Sequence, residues 1–194
     1  MTMPLVLVLA LALAQGSSAA PLPRVTIETE IGRIVLEIDT VRAPNTAANF
    51  LKYVDAALYD GGRFHRTVRT EPDNQPQNAV KIDVVQAGAN PARAMDYFQP
   101  IVHEPTSDTK LTHADGAVSM ARAQVNTARD QFFICIGDQR ELDAGGRRNA
   151  DGQGFSAFGR VISGMDVVRK IQASPASGQT LTPPIGILRI RRNQ

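Results

Sequence analysis

The sequence has no tryptophan, one cysteine, three histidines and almost no net charge, with 21 Lys and Arg set against 19 Asp and Glu. A lone cysteine, Cys135, allows no disulfide within one chain, so the fold must stand without covalent staples. His65, His103 and His113 are scattered and offer no spacing that builds a metal site. A formal charge of +2 is too small to favour nucleic acid or an anionic membrane as partner. The closing Arg189-Ile190-Arg191-Arg192 reads more simply as a strand end with a solvated tip. Long apolar runs are also missing. The main one, Pro4 to Ala14, is about half the ~20 residues that a membrane-spanning helix needs.

That short run suits the core of a secretory leader. Small residues follow it, Gly16-Ser17-Ser18-Ala19-Ala20, and then Pro21. No Lys or Arg precedes it, and no cysteine within it could carry a lipid anchor. The expectation is a signal peptide over residues 1–20, cut near Ala19 or Ala20, and one domain over residues 21–194. The mature chain would then be exported, periplasmic or secreted, with no stable membrane association.

Composition is otherwise ordinary for a globular domain, at 43% hydrophobic and 21% charged. Val25–Thr29 and Gly32–Asp39 read as two strands joined by a tight turn. Ile34, Leu36 and Ile38 alternate with Arg33, Val35 and Glu37 along the second. Pro44-Asn45-Thr46 opens a helix in which Ala47, Phe50, Leu51, Val54 and Leu58 share a face, and Asp60-Gly61-Gly62 stops it. Short strands are expected near 63–68, 82–86, 117–121, 131–136, 157–161 and 185–191, with a second helix over Met165–Ala173. Arg69–Val80 and Asp138–Gly154 read as polar surface loops. Many short strands and two helices favour a closed barrel, which leaves no exposed strand edge, although pattern alone also allows a sandwich.

Familiar catalytic signatures are absent. Gly145-Gly146 and Gly152-Gln153-Gly154 do not open a helix after a strand, so they do not form a phosphate cradle. Ser119 lacks the setting of a nucleophile elbow, and Asp108 and Asp115 fall in turns.

What remains is five segments in order. Phe64-His65-Arg66 follows Tyr59-Asp60-Gly61; Gln86-Ala87-Gly88 comes next, then Gly116-Ala117-Val118-Ser119-Met120-Ala121-Arg122. Gln131-Phe132-Phe133-Ile134 and Phe158-Gly159-Arg160-Val161-Ile162-Ser163-Gly164-Met165-Asp166-Val167-Val168 complete the series. Together, from Val25 to the C-terminus, they resemble the cyclophilin family of peptidyl-prolyl cis–trans isomerases, and the pattern is closest to bacterial periplasmic members. The resemblance implies an all-β protein with two capping helices, built as a closed eight-stranded antiparallel barrel. It implies a monomer acting on proline-containing peptides and unfolded exported proteins, with no cofactor, no metal and no nucleic acid. Arg66 would be the catalytic residue. Val84, Phe133, Leu142 and Phe155 would line a slot for the proline ring; Gln86 would hold both the Arg and the substrate backbone. Ala121, Arg122 and Ala123 would pair with the peptide ahead of proline, Gln131 would form a polar wall, and His65 would lie alongside.

The departures from the family pattern set up a rival. Ala87 and Ala89 replace a Gly and an Asp, and Arg122 replaces an Asn. Phe155 stands where eukaryotic members often have His. Glu141 stands where many have the Trp that grips the drug cyclosporin, and Asp83, aligned on Gln86, falls where the pocket usually has a Phe. An altered pocket would leave a peptide-binding or holdase module with little catalysis.

Overall fold

The computed structural model describes residues 20–193, so the expected leader lies outside the described residues except for Ala20. The elements run β1 (Arg24–Thr29), β2 (Gly32–Ile38), α1 (Pro44–Asp55), β3 (Arg63–Val68), β4 (Val84–Gly88), α2 (Thr106–Thr109), β5 (Ala117–Met120) and β6 (Phe132–Cys135). They continue with β7 (Ser156–Ser163), α3 (Met165–Ala173), β8 (Ala176–Ser177) and β9 (Thr180–Arg192), and short 3-10 turns lie at Pro91–Asp96 and Arg140–Leu142.

The strands are ordered β1-β2-β7-β5-β6-β4-β3-β9, and β9 pairs back onto β1, so eight antiparallel strands close a barrel. The two-residue β8 is an addition hairpinned onto β9. Closure decides between barrel and sandwich: every long strand now has two neighbours. The expected alternation holds in β2, whose Ile34, Leu36 and Ile38 are fully buried. In the interior Phe50 meets Tyr59, Phe132 and Phe158 with ring centroids 5.1–5.4 Å apart, in tilted and edge-on geometries.

Helix α1 covers β7 and β9, and α3 covers β2, β3 and β4. Ala43 ahead of α1 has no side chain to cap it. The carboxylate of Glu104 does so from a distance, accepting from the N–H groups of Asn45 at 3.1 Å and Thr46 at 2.7 Å. An anion at a helix N-terminus is favoured by the unpaired N–H groups and by the dipole. The β7–α3 junction needs Gly164: its φ is +94°, and a Cβ there would lie 2.3 Å from the Arg33 carbonyl oxygen.

Two sequence boundaries shift. The helix ends at Asp55, three residues short of Leu58, although Leu58 is still buried. The last strand begins at Thr180, not near Ile185, because it tolerates Pro183 and Pro184. Against β3 the register jumps from Phe64↔Ile185 to Arg66↔Thr180, so the prolines sit in a bulge where no ladder N–H is required.

Candidate active site

Strand alternation builds the site on the outer face of β3, β4, β6 and β5. On β6, Phe132 points into the barrel core while its neighbour Phe133 points out. On β4, Val85 and Ala87 go in, leaving Val84 and Gln86 facing out. The register then places Arg66 opposite Gln86, Gln86 opposite Phe133, and Phe133 opposite Ser119, one row across four strands. A second row, Val68, Val84 and Cys135, runs beside it.

Arg66 is half-buried, and burial lowers its pKa from the ordinary arginine value. Two neutral amides hold it. Its Nη1 donates to Gln86 Oε1 at 2.9 Å, while Nε and Nη2 donate to Gln179 Oε1 at 2.9 and 2.6 Å. Gln86 Nε2 in turn donates to Gln131 Oε1 at 2.7 Å. No carboxylate lies within 4.0 Å of Arg66 among the described residues. The guanidinium is thus oriented without being neutralised.

Beside it lies an apolar cluster separate from the barrel core: Val68, Ile82, Val84, Ala117, Phe133, Cys135 and Leu142. Ala121 and Phe155 pack on its edge and remain partly accessible. Phe133 and Phe155 meet edge-on at 5.3 Å, and Phe155 N–H donates to the Leu142 carbonyl at 3.0 Å. The structure therefore gathers Val84, Phe133, Leu142 and Phe155, the expected lining of the slot, into one apolar cluster next to Arg66, Gln86 and Gln131.

Ala121, Arg122 and Ala123 border a groove of about 490 Å³ together with Gln86, Gln131 and Thr127. The Arg122 N–H and the three carbonyls of this stretch have no backbone partner among the described residues. The Arg122 side chain turns away. It grips Asp151 with two bonds of 2.7 and 2.9 Å, donates to the Gly154 carbonyl, and lies 5.3 Å over the Phe155 ring. It straps down the loop that carries one wall of the slot. His65 borders a neighbouring hollow with Arg63 and Asp130, and burial lowers its pKa, which favours the neutral imidazole.

The expectation for Asp83 is corrected. Its carboxylate faces away from the slot and accepts from Thr70 N–H and Oγ1 and from Gln172 Nε2. Ile82 and Val84, its neighbours in the chain, join Val68 in the apolar cluster instead, because alternate side chains of an extended segment face opposite ways. Glu141 is held by Arg147 through its N–H, Nε and Nη2, which keeps its carboxyl below the usual pKa.

Ser119, His113 and Asp143 form a hydrogen-bonded chain that the sequence did not reveal. Asp143 Oδ1 lies 2.7 Å from His113 Nδ1, and His113 Nε2 lies 2.9 Å from Ser119 Oγ. The order resembles a hydrolytic triad, but Ser119 and His113 are both 0% exposed and no substrate can reach the hydroxyl. The chain acts as a prop: the imidazole stacks on Phe133 at 5.8 Å, 13° from parallel, behind the slot. Burial also pushes the Cys135 thiol well above its ordinary pKa, so it is inert packing. A roomier cleft of about 620 Å³, between α1 and residues 97–102, contains none of these groups.

The antiparallel barrel thus carries, side by side on its outer face, an apolar cluster, a stretch of backbone with unpaired groups and an uncompensated guanidinium. Residues 24–192 match the family model of the cyclophilin type peptidyl-prolyl cis-trans isomerase. Peptidyl-prolyl cis-trans isomerase A of Dickeya dadantii is 34% identical over 156 residues, covering 79% of this chain and 73% of that protein. The Streptomyces antibioticus isomerase cyp18 is 36% identical over 157 residues, covering 76% and 82%. A Cryptosporidium parvum cyclophilin type isomerase shares the fold, with a TM-score of 0.66 at 20% identity over 89% of this chain and 98% of its own. That protein's crystal structure in the presence of the dipeptide Ala-Pro gives a TM-score of 0.65 at 21% identity, over 88% and 99%. The chain belongs to the cyclophilin-type peptidyl-prolyl cis–trans isomerase family.

Proposed function

We propose that this protein accelerates X-Pro isomerisation in exported polypeptides, with Arg66 stabilising the twisted amide. Rotation about a peptide bond costs about 18–20 kcal/mol because amide resonance is lost. No bond is made or broken, so the enzyme has only to bind the twisted form better than either planar one. As the amide twists, the prolyl nitrogen regains a lone pair, and a fixed guanidinium can donate to it. One charged donor placed for that state contributes roughly 3–4 kcal/mol, or about a hundred- to a thousandfold in rate.

The observation that carries the reading is the cross-strand row of Arg66, Gln86 and Phe133. It sets a guanidinium held only by neutral amides beside a separate apolar cluster on the outer face of the sheet. The proline ring enters between Phe133, Leu142 and Phe155, and the chain ahead of it pairs with the open backbone of Ala121–Ala123. Gln131 fixes Gln86, and Gln86 fixes Arg66. The leader-like residues 1–20 support the export part of this reading, in which unfolded exported chains are the substrates. The holdase reading loses one of its two supports, since Asp83 does not enter the slot.

A proline-limited refolding assay, run with the mature chain, tests the activity. Acceleration is expected with wild type, and its absence would return the holdase reading. Mass spectrometry of the protein from its host's envelope tests the export, with a mature start at Ala20 or Pro21 expected.

A further inference from the structure

The two loops that the family pattern does not account for, residues 69–80 and 138–154, meet beside the slot, and Arg148 joins them. Its Nη1 donates to Gln75 Oε1 at 3.0 Å and to the Val80 carbonyl at 2.5 Å. Gln75 is buried and pinned in turn to Ile82, whose carbonyl accepts from Gln75 Nε2 at 2.7 Å. Arg148 therefore hangs from a fixed support two residues from the slot residue Val84.

Only Nη1 is used in this way. Nε and Nη2 of Arg148 have no hydrogen-bond partner among the described residues, and neither is sealed from solvent. Charge is similarly unspent. Thirteen of the seventeen arginines have a carboxylate within 4.0 Å; Arg63, Arg66, Arg69 and Arg148 have none among the described residues. The acids nearby are already engaged: Asp83 by Thr70 and Gln172, Glu141 by Arg147, and Asp73 by Lys81. Arg148 is half-buried and near enough to Arg66 that, after burial, the like charge of Arg66 lowers its pKa. Two neighbouring guanidinium groups held by neutral acceptors leave positive charge without a carboxylate partner on this side of the site.

The sheet order gives the direction. Ala121–Ala123 leave from β5 on one side of the slot, whereas the 69–80 loop joins β3 to β4 on the other. A peptide lying along Ala121–Ala123 ahead of its proline must leave past the two joined loops.

We propose that Arg148 is a specificity-determining residue that binds an acidic side chain, Asp or Glu, on the residue following the proline. This rests on the proposed isomerase activity and on the peptide direction given above. The free Nε and Nη2 edge suits a carboxylate, which can take both donors at once. Because the contact persists in both the planar and twisted forms, it acts on substrate affinity more than on turnover.

The test uses C-terminally amidated peptides that differ only in having Glu, Gln or Lys after the proline, so no terminal carboxylate can substitute. Wild type should convert the Glu peptide with kcat/KM about five- to tenfold above the Gln peptide, mainly through KM, and the Lys peptide should be poorest. The preference should shrink as ionic strength rises. Arg148→Gln should abolish it while keeping turnover of the Gln peptide, and Arg148→Lys should retain part of it. Equal turnover of the Glu and Gln peptides by wild type would overturn the proposal, as would a preference that survives Arg148→Gln. Loss of all three peptides alike in Arg148→Gln would also overturn it, marking Arg148 as a loop tether only. Wild type inactive on every peptide would instead remove the isomerase reading on which the proposal stands.

Discussion

Replacing Gln179 with leucine isolates the orientation of Arg66 from its presence. Gln179 Oε1 accepts from both Nε and Nη2 of Arg66, at 2.9 and 2.6 Å, whereas Gln86 takes only Nη1. A hydrogen bond to a charged group contributes about 1.5–3 kcal/mol. The freed guanidinium recovers part of that from water, since the site is half-open. About 2 kcal/mol of orienting free energy should be lost, roughly a thirtyfold fall in kcat. KM should barely change, because neither the slot nor the Ala121–Ala123 edge involves Gln179. Gln179→Glu sharpens the test: it keeps a double acceptor but adds the carboxylate that Arg66 lacks. If uncompensated charge matters, this variant should also be slow although its guanidinium is held more tightly. Steady-state kinetics on a proline-containing peptide reads both variants. Wild-type kcat in Gln179→Leu, or a rise in KM alone, would refute the view that a held guanidinium drives the reaction.

Arg66→Ala should lower kcat by about a hundred- to a thousandfold with peptide affinity nearly kept, and Arg66→Lys should also be poor because an ammonium lacks the fork; binding titrations beside kinetics check both. Glu141, tied to Arg147, offers no apolar face, so cyclosporin should inhibit wild type weakly and Glu141→Trp should sensitise it by roughly thirty- to a hundredfold; tight inhibition of wild type would place a different residue there. Asp151 has its pKa drawn from 3.8 down to about 2, first by Arg122 and then by the Gln153 N–H. A lowered carboxyl pKa stabilises the fold above the unfolded value, and that contribution is lost as pH falls from about 3.8 to about 2. Arg122→Gln should flatten this part of the acid-unfolding curve and loosen the Phe155 wall at neutral pH; unchanged acid unfolding would show the strap to be idle.

The sequence by itself determined the secondary structure with two-residue or 3.6-residue periodicity, because one buried face leaves a pattern in the chain. Five short segments that resemble one family also singled out Arg66, Gln86 and Phe133, which the strand register sets in one row. Tertiary structure decided what depends on partners distant in the chain. Closure of the barrel required β9 to find β1, 161 residues away between Glu28 and Arg189. Gln179 reaches Arg66 only because β9 folds back along β3, and no local signal marks a glutamine in a turn as an acceptor. His113 reads as a scattered histidine until the fold stacks it on Phe133 and buries it between Ser119 and Asp143. Asp83 shows the complementary case: only the folded chain reveals that Ile82 and Val84 join the apolar cluster while the carboxylate between them turns to Thr70 and Gln172. Local periodicity sets which way a side chain faces, but its neighbours are fixed by strand order and register, which no short stretch of sequence contains.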